Sequence, residues 1–305
     1  MVAVRSARRH IREGVWSRLF DGFNYAVLSL LAVVTLGPFL YLLFGSITDS
    51  DYYRQVGVSL NPAHWSLASY RVLLSSASRI LTSLKVTVFS TIVGTAIGLL
   101  VTSALAYVAS QKQLPGHNFL VFFVFFTMLF SGGMVPFYLV VQWLGLLDTV
   151  WAIILPFVFD GWFMFIMVRF FDSLPQDLAD SGRIDGCSEI GIFFRIVLPL
   201  SKPVLATIGL FFAVYFWNQW FWATVFIQNA DLLPLQQVLR GILSQMMPVL
   251  NPNAAKEQAR MLAEMPPLEV LRMATIIFTV LPITLVYPFL QKYFVKGVMI
   301  GAIKG

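Results

Sequence analysis

Residues 172–203, DSLPQDLADSGRIDGCSEIGIFFRIVLPLSKP, form a polar, charged connection between two long apolar runs, 149–171 and 203–228. A membrane-spanning helix needs about 20 mostly apolar residues, and each flanking run meets that length. Four further runs do so, at 23–46, 82–109, 119–142 and 271–295. The composition agrees: 58% of residues are hydrophobic, 12% are charged, and the mean hydropathy is +0.78. So apolar a chain belongs in a bilayer rather than in water. The runs are continuous rather than alternating, which favours helices over a β-barrel, and lipid offers the backbone no third way to satisfy its polar groups. The expected fold class is an all-α integral membrane protein with six transmembrane helices.

Basic residues flanking the spans set the orientation, because Lys and Arg are retained on the cytoplasmic side. With both termini inside, thirteen lie in the cytoplasm, among them Arg5, Arg8, Arg9, Arg12, Lys112, Arg183, Arg195, Lys202, Lys296 and Lys304. Seven lie outside: Arg54, Arg71, Arg79, Arg240, Lys256, Arg260 and Arg272. The acidic residues divide evenly, so the bias is specifically basic. On this reading a basic cytoplasmic start, 1–22, precedes a six-helix domain, 23–295, and a tail, 296–305, follows it. Segment 172–203 is then a cytoplasmic loop, and 47–81 and 229–270 are external ones. The net charge of +6 is spread over these loops instead of one face, so topology explains it without a nucleic-acid partner. The basic start resembles that of a signal peptide, but a full-length apolar run follows with no small-residue cleavage pattern. The single Cys187 leaves no intrachain disulfide and no cysteine metal cluster.

Inside the loop, Ser173 and Gln176 have capping-box spacing, which predicts a helix from about Leu174 to Gly186. Ser188 predicts a second cap, with Ile190, Phe193, Phe194 and Val197 on one side of a helix that Pro199 stops. Ser201 and Pro203 then open the next span, and Asp185-Gly186 is the joint, its glycine free to take a left-handed backbone. An amphipathic helix lying on the membrane surface would satisfy the same pattern. Elsewhere, Asn61-Pro62 and Ser66 predict a turn and a short helix in 47–81, and Pro115-Gly116 predicts a tight turn. Ser131-Gly132-Gly133 with Pro136 interrupts the third span, and Pro282 and Pro288 interrupt the sixth. Such breaks are tolerated where a cavity or neighbouring helices satisfy the freed carbonyls, and they also occur in ordinary bent helices.

Asp160 falls within the fourth span, where an ionisable side chain is expected to face the bundle or water. On the fifth, Tyr215, Trp217, Asn218, Gln219, Trp220 and Trp222 combine flat rings with amides. A sugar ring presents an apolar face and a rim of hydroxyls, so such a set suits it. Asp160, Tyr215, Trp217, Asn218 and Gln219 are therefore candidate residues of a substrate path. Tryptophans at a helix end also form interfacial belts, and amides also bond neighbouring helices. The chain has no GxxxxGK[ST] phosphate loop, no HExxH, and only His10, His64 and His117, all in flanks or loops. No catalytic residue, no metal site and no bound cofactor is expected, and covalent chemistry is not indicated.

The run Asp180-Ser181-Gly182-Arg183-Ile184-Asp185-Gly186, followed after eleven residues by Leu198-Pro199, resembles the EAA loop of ABC importer permeases, with pattern EAAxxDG, a spacer and an LP pair. End to end the chain is similar to the maltose-type sugar permeases. It is most like their Lpl-type oligosaccharide-importer branch, with alginate-importer permeases nearby. IVLPLSKPVLATIGLF and FVKGVMIGAIKG are the most branch-like pieces. The resemblance implies a type I ABC importer permease fold whose loop forms a coupling helix in a cleft of a cytoplasmic ATPase. Asp180 takes the place of the family glutamate, Ser181 and Gly182 replace two alanines, and Asp185-Gly186 match directly. The docking set is then Asp180, Ser181, Gly182, Arg183, Asp185, Gly186 and Glu189.

The tail resembles one that inserts between paired ATPase subunits, so Lys296, Gly297, Gly301 and Gly305 are expected to touch the ATPase. The implied partners are a second homologous permease, two ATPase subunits that hold ATP and Mg, an external solute-binding protein and an oligosaccharide. The implied location is the bacterial inner membrane. The alternatives are an ABC permease for another polar solute such as a peptide, a lipid enzyme with polar groups at one membrane face, and an ion-coupled transporter. The last normally needs several buried carboxylates, of which only Asp160 qualifies.

Overall fold

The computed structural model describes residues 15–75, 77–245, 266–282 and 284–285. Their regular secondary structure is helical, with no strand among the described residues and a single isolated bridge between Thr48 and Trp65. They divide into two compact units, one made of the residues up to Tyr70 with 266–277, the other of those from Arg71 onward with the residues after 277.

The first unit holds α1 (Val15–Ile47), whose apolar side chains are exposed along almost its whole length. A helix hydrophobic all round is a helix for lipid or for helix neighbours, not for water. After α1, Asp49 caps α2 (Ser50–Gln55), its carboxylate accepting the Asp51 and Tyr52 N–H groups. Asn61 caps a 3-10 turn at Pro62–His64, and the Ser66 hydroxyl accepts the Ala68 N–H where α3 (Ala68–Ser75) begins. Residues 268–282 are helical, and the Met273 sulfur fills the space beside Gly45.

The second unit is built around α4 (Ala77–Ser110), an uninterrupted helix of 34 residues. It is followed by α5 (His117–Leu129) and α6 (Met134–Trp143), then by 3-10 turns at Val150–Ile153 and Leu155–Phe157 leading into α7 (Gly161–Phe171). Next come α8 (Gln176–Ile184), α9 (Glu189–Ile192), a π turn over Phe193–Val197 and α10 (Leu198–Leu200). Then α11 (Lys202–Trp217), α12 (Phe221–Phe226) and α13 (Leu235–Gln245) follow. Helices α7 and α11 pack along α4. The seam with α11 is close because Gly94 and Gly98 let the rings of Phe216 and Phe212 reach the α4 backbone, while Gly209 of α11 receives Leu99. Small residues four apart allow this kind of approach in a membrane, where dispersion takes over from the hydrophobic effect. At the far end of α4 the buried Thr87 hydroxyl accepts the Leu235 N–H at 2.8 Å, which fastens α13.

Three expected spans are broken. The third is two helices, α5 and α6, at 119°. Phe130 is extended and Gly133 has φ +83°, so the Ser-Gly-Gly break ends one helix and turns the chain before the next. The fourth bends by 45° ahead of α7, which puts Asp160 at a helix start instead of mid-helix. The fifth run is likewise divided, with Asn218–Trp220 separating α11 from α12. Two helices, Trp16–Ile47 and Arg79–Ser110, are long and apolar enough to cross a membrane unaided. The count among the described residues reaches five if each bent pair is one span. The sixth run, 271–295, is described only in part.

Candidate functional site

The loop between α7 and α11 is two short helices around a glycine joint. The first starts later than Ser173 and Gln176 predict. Pro175 disfavours helical backbone at Leu174, so α8 begins at Gln176, and the Ser173 hydroxyl donates back to the Phe170 carbonyl at 2.6 Å. Beyond Ile184 the chain reverses at Gly186, with φ +78°. The Cys187 N–H reaches back to the Gly182 carbonyl, as in a Schellman-type ending. Ser188 caps the second helix by accepting the Gly191 N–H at 3.2 Å. Pro199 does not stop it. The π turn passes the helix through Leu198–Leu200, and the break comes at Ser201, where the axis swings by 85° into α11.

Three of the loop's charged residues, Asp180, Arg183 and Glu189, form one network. Arg183 donates from Nη1 to Asp180 Oδ1 at 2.7 Å and from Nε to Glu189 Oε1 at 2.8 Å. Tyr107, on α4, donates its hydroxyl to Glu189 Oε2 at 2.8 Å. Glu189 is thus held from two sides, and its carboxyl lies below the ordinary range, first through the Arg183 hydrogen bond and then through Tyr107. Its hydrogen bonds to Glu189 and then to Asp180 keep the Arg183 guanidinium above its own usual value. Of the expected docking set, Asp180, Arg183 and Glu189 are therefore engaged with one another. Ser181 bonds the Asp177 carbonyl, and Gly182 is buried with its Cα against Ile196 and Ile192. Asp185 and Gly186 stand at the exposed turn. Sequence reasoning missed Tyr107, one of many hydroxyls on α4 and not marked out by any motif. It placed Ile190 on one face with Phe193, Phe194 and Val197, yet Phe193 and Val197 are buried while Ile190, at 71%, and Phe194 are exposed; it missed the outward Ile184, 86% exposed across the joint. A cavity of about 250 Å³ is lined by Tyr107, Lys112, Asp172, Gln176, Asp180 and Arg183.

The candidate path residues lie at the opposite end of α11. Asp160 is the N-cap of α7, accepting the Phe163 N–H at 2.9 Å, which accounts for a carboxylate there. Tyr215 lies within electrostatic range of Asp160. The Gln219 amide nitrogen and the Trp217 indole nitrogen are buried without a hydrogen-bond partner among the described residues. Asn218 is exposed, donates to the Val214 carbonyl at 2.8 Å and accepts from Gln236. Nearby, Arg240 of α13 lays its guanidinium 3.6 Å from the centre of the Trp220 ring. The tail residues Lys296, Gly297, Gly301 and Gly305 lie outside the described residues.

A loop of this form, joining bent apolar helices, occurs in a chain whose residues 114–300 match the family model described as binding-protein-dependent transport system inner membrane component. The chain belongs to that family. This permease is 43% identical over 288 residues to Protein LplC of Bacillus subtilis (strain 168), covering 94% of its own length and 96% of that protein. Its identity to the polygalacturonan/rhamnogalacturonan transport system permease protein YtcP of the same strain is 40% over 290 residues, with coverages of 95% and 99%. It is also similar to a chain of a crystal structure of a bacterial ABC transporter involved in the import of the acidic polysaccharide alginate. The TM-score is 0.80 at 30% identity, with 92% of this chain and 98% of that chain covered. The all-helical architecture is thus the type I ABC permease fold, and the permease is a transport subunit of the inner membrane, not an enzyme.

Proposed function

We propose that this permease forms half of the membrane pathway of an ATP-driven importer that moves an oligosaccharide or polysaccharide fragment into the cytoplasm. The observation that carries the proposal is end-to-end similarity, in sequence and in fold, to permeases named for polygalacturonan and alginate transport. A second permease would complete the pathway, a solute-binding protein would deliver cargo from outside, and two ATPase subunits would hold ATP and Mg. Both termini would lie in the cytoplasm. The loop of α8 and α9 would then face the ATPase, offering the exposed Ile184 and Ile190 on either side of the Asp185-Gly186 joint. Apolar side chains flanked by charges are a fitting surface for a protein cleft. Asp160, Tyr215, Trp217, Asn218 and Gln219 would line the path, and the tail would add a second ATPase contact.

Affinity purification of the tagged chain from its native membrane, followed by hydrolysis assays with oligosaccharides and the binding protein, tests this. Co-recovery of a second permease and an ATPase, with saccharide-stimulated hydrolysis, is the expected result. Stimulation by peptides alone would move the cargo to another class, and a chain recovered alone with no nucleotide dependence would overturn the proposal.

A further inference from the structure

Among the described residues, Tyr107 is where the coupling loop is tied by a side-chain hydrogen bond to α4. Its hydroxyl meets Glu189 at 2.8 Å, its ring lies 5.4 Å from that of Phe193 in the π turn, and it is 9% exposed. The hydroxyl bond ends a chain of contacts. Glu189 orients Arg183, and Arg183 holds Asp180 on the outward side of α8. One buried hydroxyl therefore fixes the register of the acidic and basic groups at the surface of the loop. On its other side Tyr107 belongs to a helix with no break from Ala77 to Ser110. At 1.5 Å per residue, Gly94 lies about 20 Å up the same axis, where α4 meets Phe216 of α11. That seam leads within three residues to Gln219.

We propose that Tyr107 is the positioning residue of the coupling step: its bond to Glu189 makes the loop and α4 move as one body, so that loop displacement reaches the α4–α11 seam. The idea rests on the loop being the ATPase-facing element. Loss of the hydroxyl leaves the ring packed on Phe193, so the loop keeps its fold and its surface while its connection to α4 slackens. A merely structural tyrosine would behave differently, because its damage would appear as lost assembly and lost hydrolysis together.

The test uses the whole complex in proteoliposomes, with the wild-type chain, Tyr107→Phe, Glu189→Ala and the double variant. Three quantities are read: ATPase recovered with the chain, saccharide-stimulated hydrolysis, and saccharide transported per ATP hydrolysed. For Tyr107→Phe the expected result is unchanged recovery and hydrolysis within about twofold, with transport per ATP falling about tenfold, the scale of one charge-assisted hydrogen bond. The double variant should lose no more than Glu189→Ala alone, since Glu189→Ala already removes the bond that Tyr107→Phe removes. Unchanged transport per ATP, or losses that multiply in the double variant, would overturn the role of Tyr107 while leaving the docking proposal standing. Recovery falling together with hydrolysis in Tyr107→Phe would make the contact structural and also overturn it. A wild-type chain that brings no ATPase would remove the docking proposal and this one with it.

Discussion

The ring of Phe216 occupies the position that a side chain on Gly94 would need: three of its carbons lie 2.6–2.8 Å from where a Cβ would stand. Phe216 is fully buried, so the ring has no room to withdraw. Gly94→Ala should overpack the α4–α11 seam at a cost of about 1–3 kcal/mol. Gly98→Ala should cost less, because its nearest ring atom lies at 3.1 Å. Thermal unfolding in detergent should rank them wild type, Gly98→Ala, Gly94→Ala in falling stability, and Gly94→Ala with Phe216→Leu should recover part of the loss. Equal midpoints for all three would show that the seam is not the tight contact described.

Gly186 poses the opposite case. Among the described residues nothing lies within 4 Å of its would-be Cβ, yet its φ is +78°, so a substitution is opposed by backbone strain and not by bulk. Non-glycine residues pay about 1–2 kcal/mol in that region, asparagine least. Gly186→Asn should therefore fold well, whereas Gly186→Val should loosen the joint between α8 and α9. Because the space around Gly186 is open among the described residues, a requirement for smallness there would point to a partner. If Gly186→Asn folds but loses ATPase recovery, that space is filled by the partner; if recovery is normal, only the turn geometry matters. Ile184→Asp, at an exposed position, should lower recovery without changing thermal stability.

The carboxyl of Glu189 is held below its ordinary value of 4.5, mainly by Arg183 and secondarily by Tyr107. A depressed value means that the network contributes its full stabilisation above pH about 4.5 and loses it as the pH falls through the folded-state value. Arg183 stays charged throughout. Carboxyl-labelled glutamate followed by NMR should give a midpoint below 4.5 for this residue, identified by its absence in Glu189→Ala. Arg183→Gln should raise that midpoint more than Tyr107→Phe does. The reverse order would mean that Tyr107 is the stronger partner of the carboxylate.

How much of this was legible in the sequence depended on how local each signal is. The Ser188 cap and the Gly186 joint are set by a few neighbouring residues and are found where the pattern places them. Ser173 misleads because the capping-box spacing ignores Pro175, which forbids helix just before itself. Pro199 misleads because a π turn ahead of it changes the hydrogen-bond ladder, so the missing N–H no longer ends the helix there. The Ser131-Gly132-Gly133 break is plain in the sequence, but whether it bends a helix or turns it through 119° depends on the neighbours of α5 and α6. Gly94 and Gly98 are spaced four apart in plain view, and hydropathy alone passes over them. Tyr107 and Glu189 are separated by 82 residues, and only the fold shows that they touch.

Asp160 separates two explanations that the fold leaves side by side. One oxygen of its carboxylate caps α7 through the Phe163 N–H, and the residue is also within electrostatic range of Tyr215. Asparagine can cap a helix as well as aspartate does, whereas alanine forfeits about 1 kcal/mol. Asp160→Ala should therefore lower the unfolding midpoint and Asp160→Asn should not. If the negative charge also serves the path, Asp160→Asn should lower the transport rate at least about threefold while saccharide-stimulated hydrolysis and stability hold, because only a charge has been removed. Transport by Asp160→Asn at the wild-type rate would confine Asp160 to capping and leave Tyr215, Trp217, Asn218 and Gln219 as the proposed path.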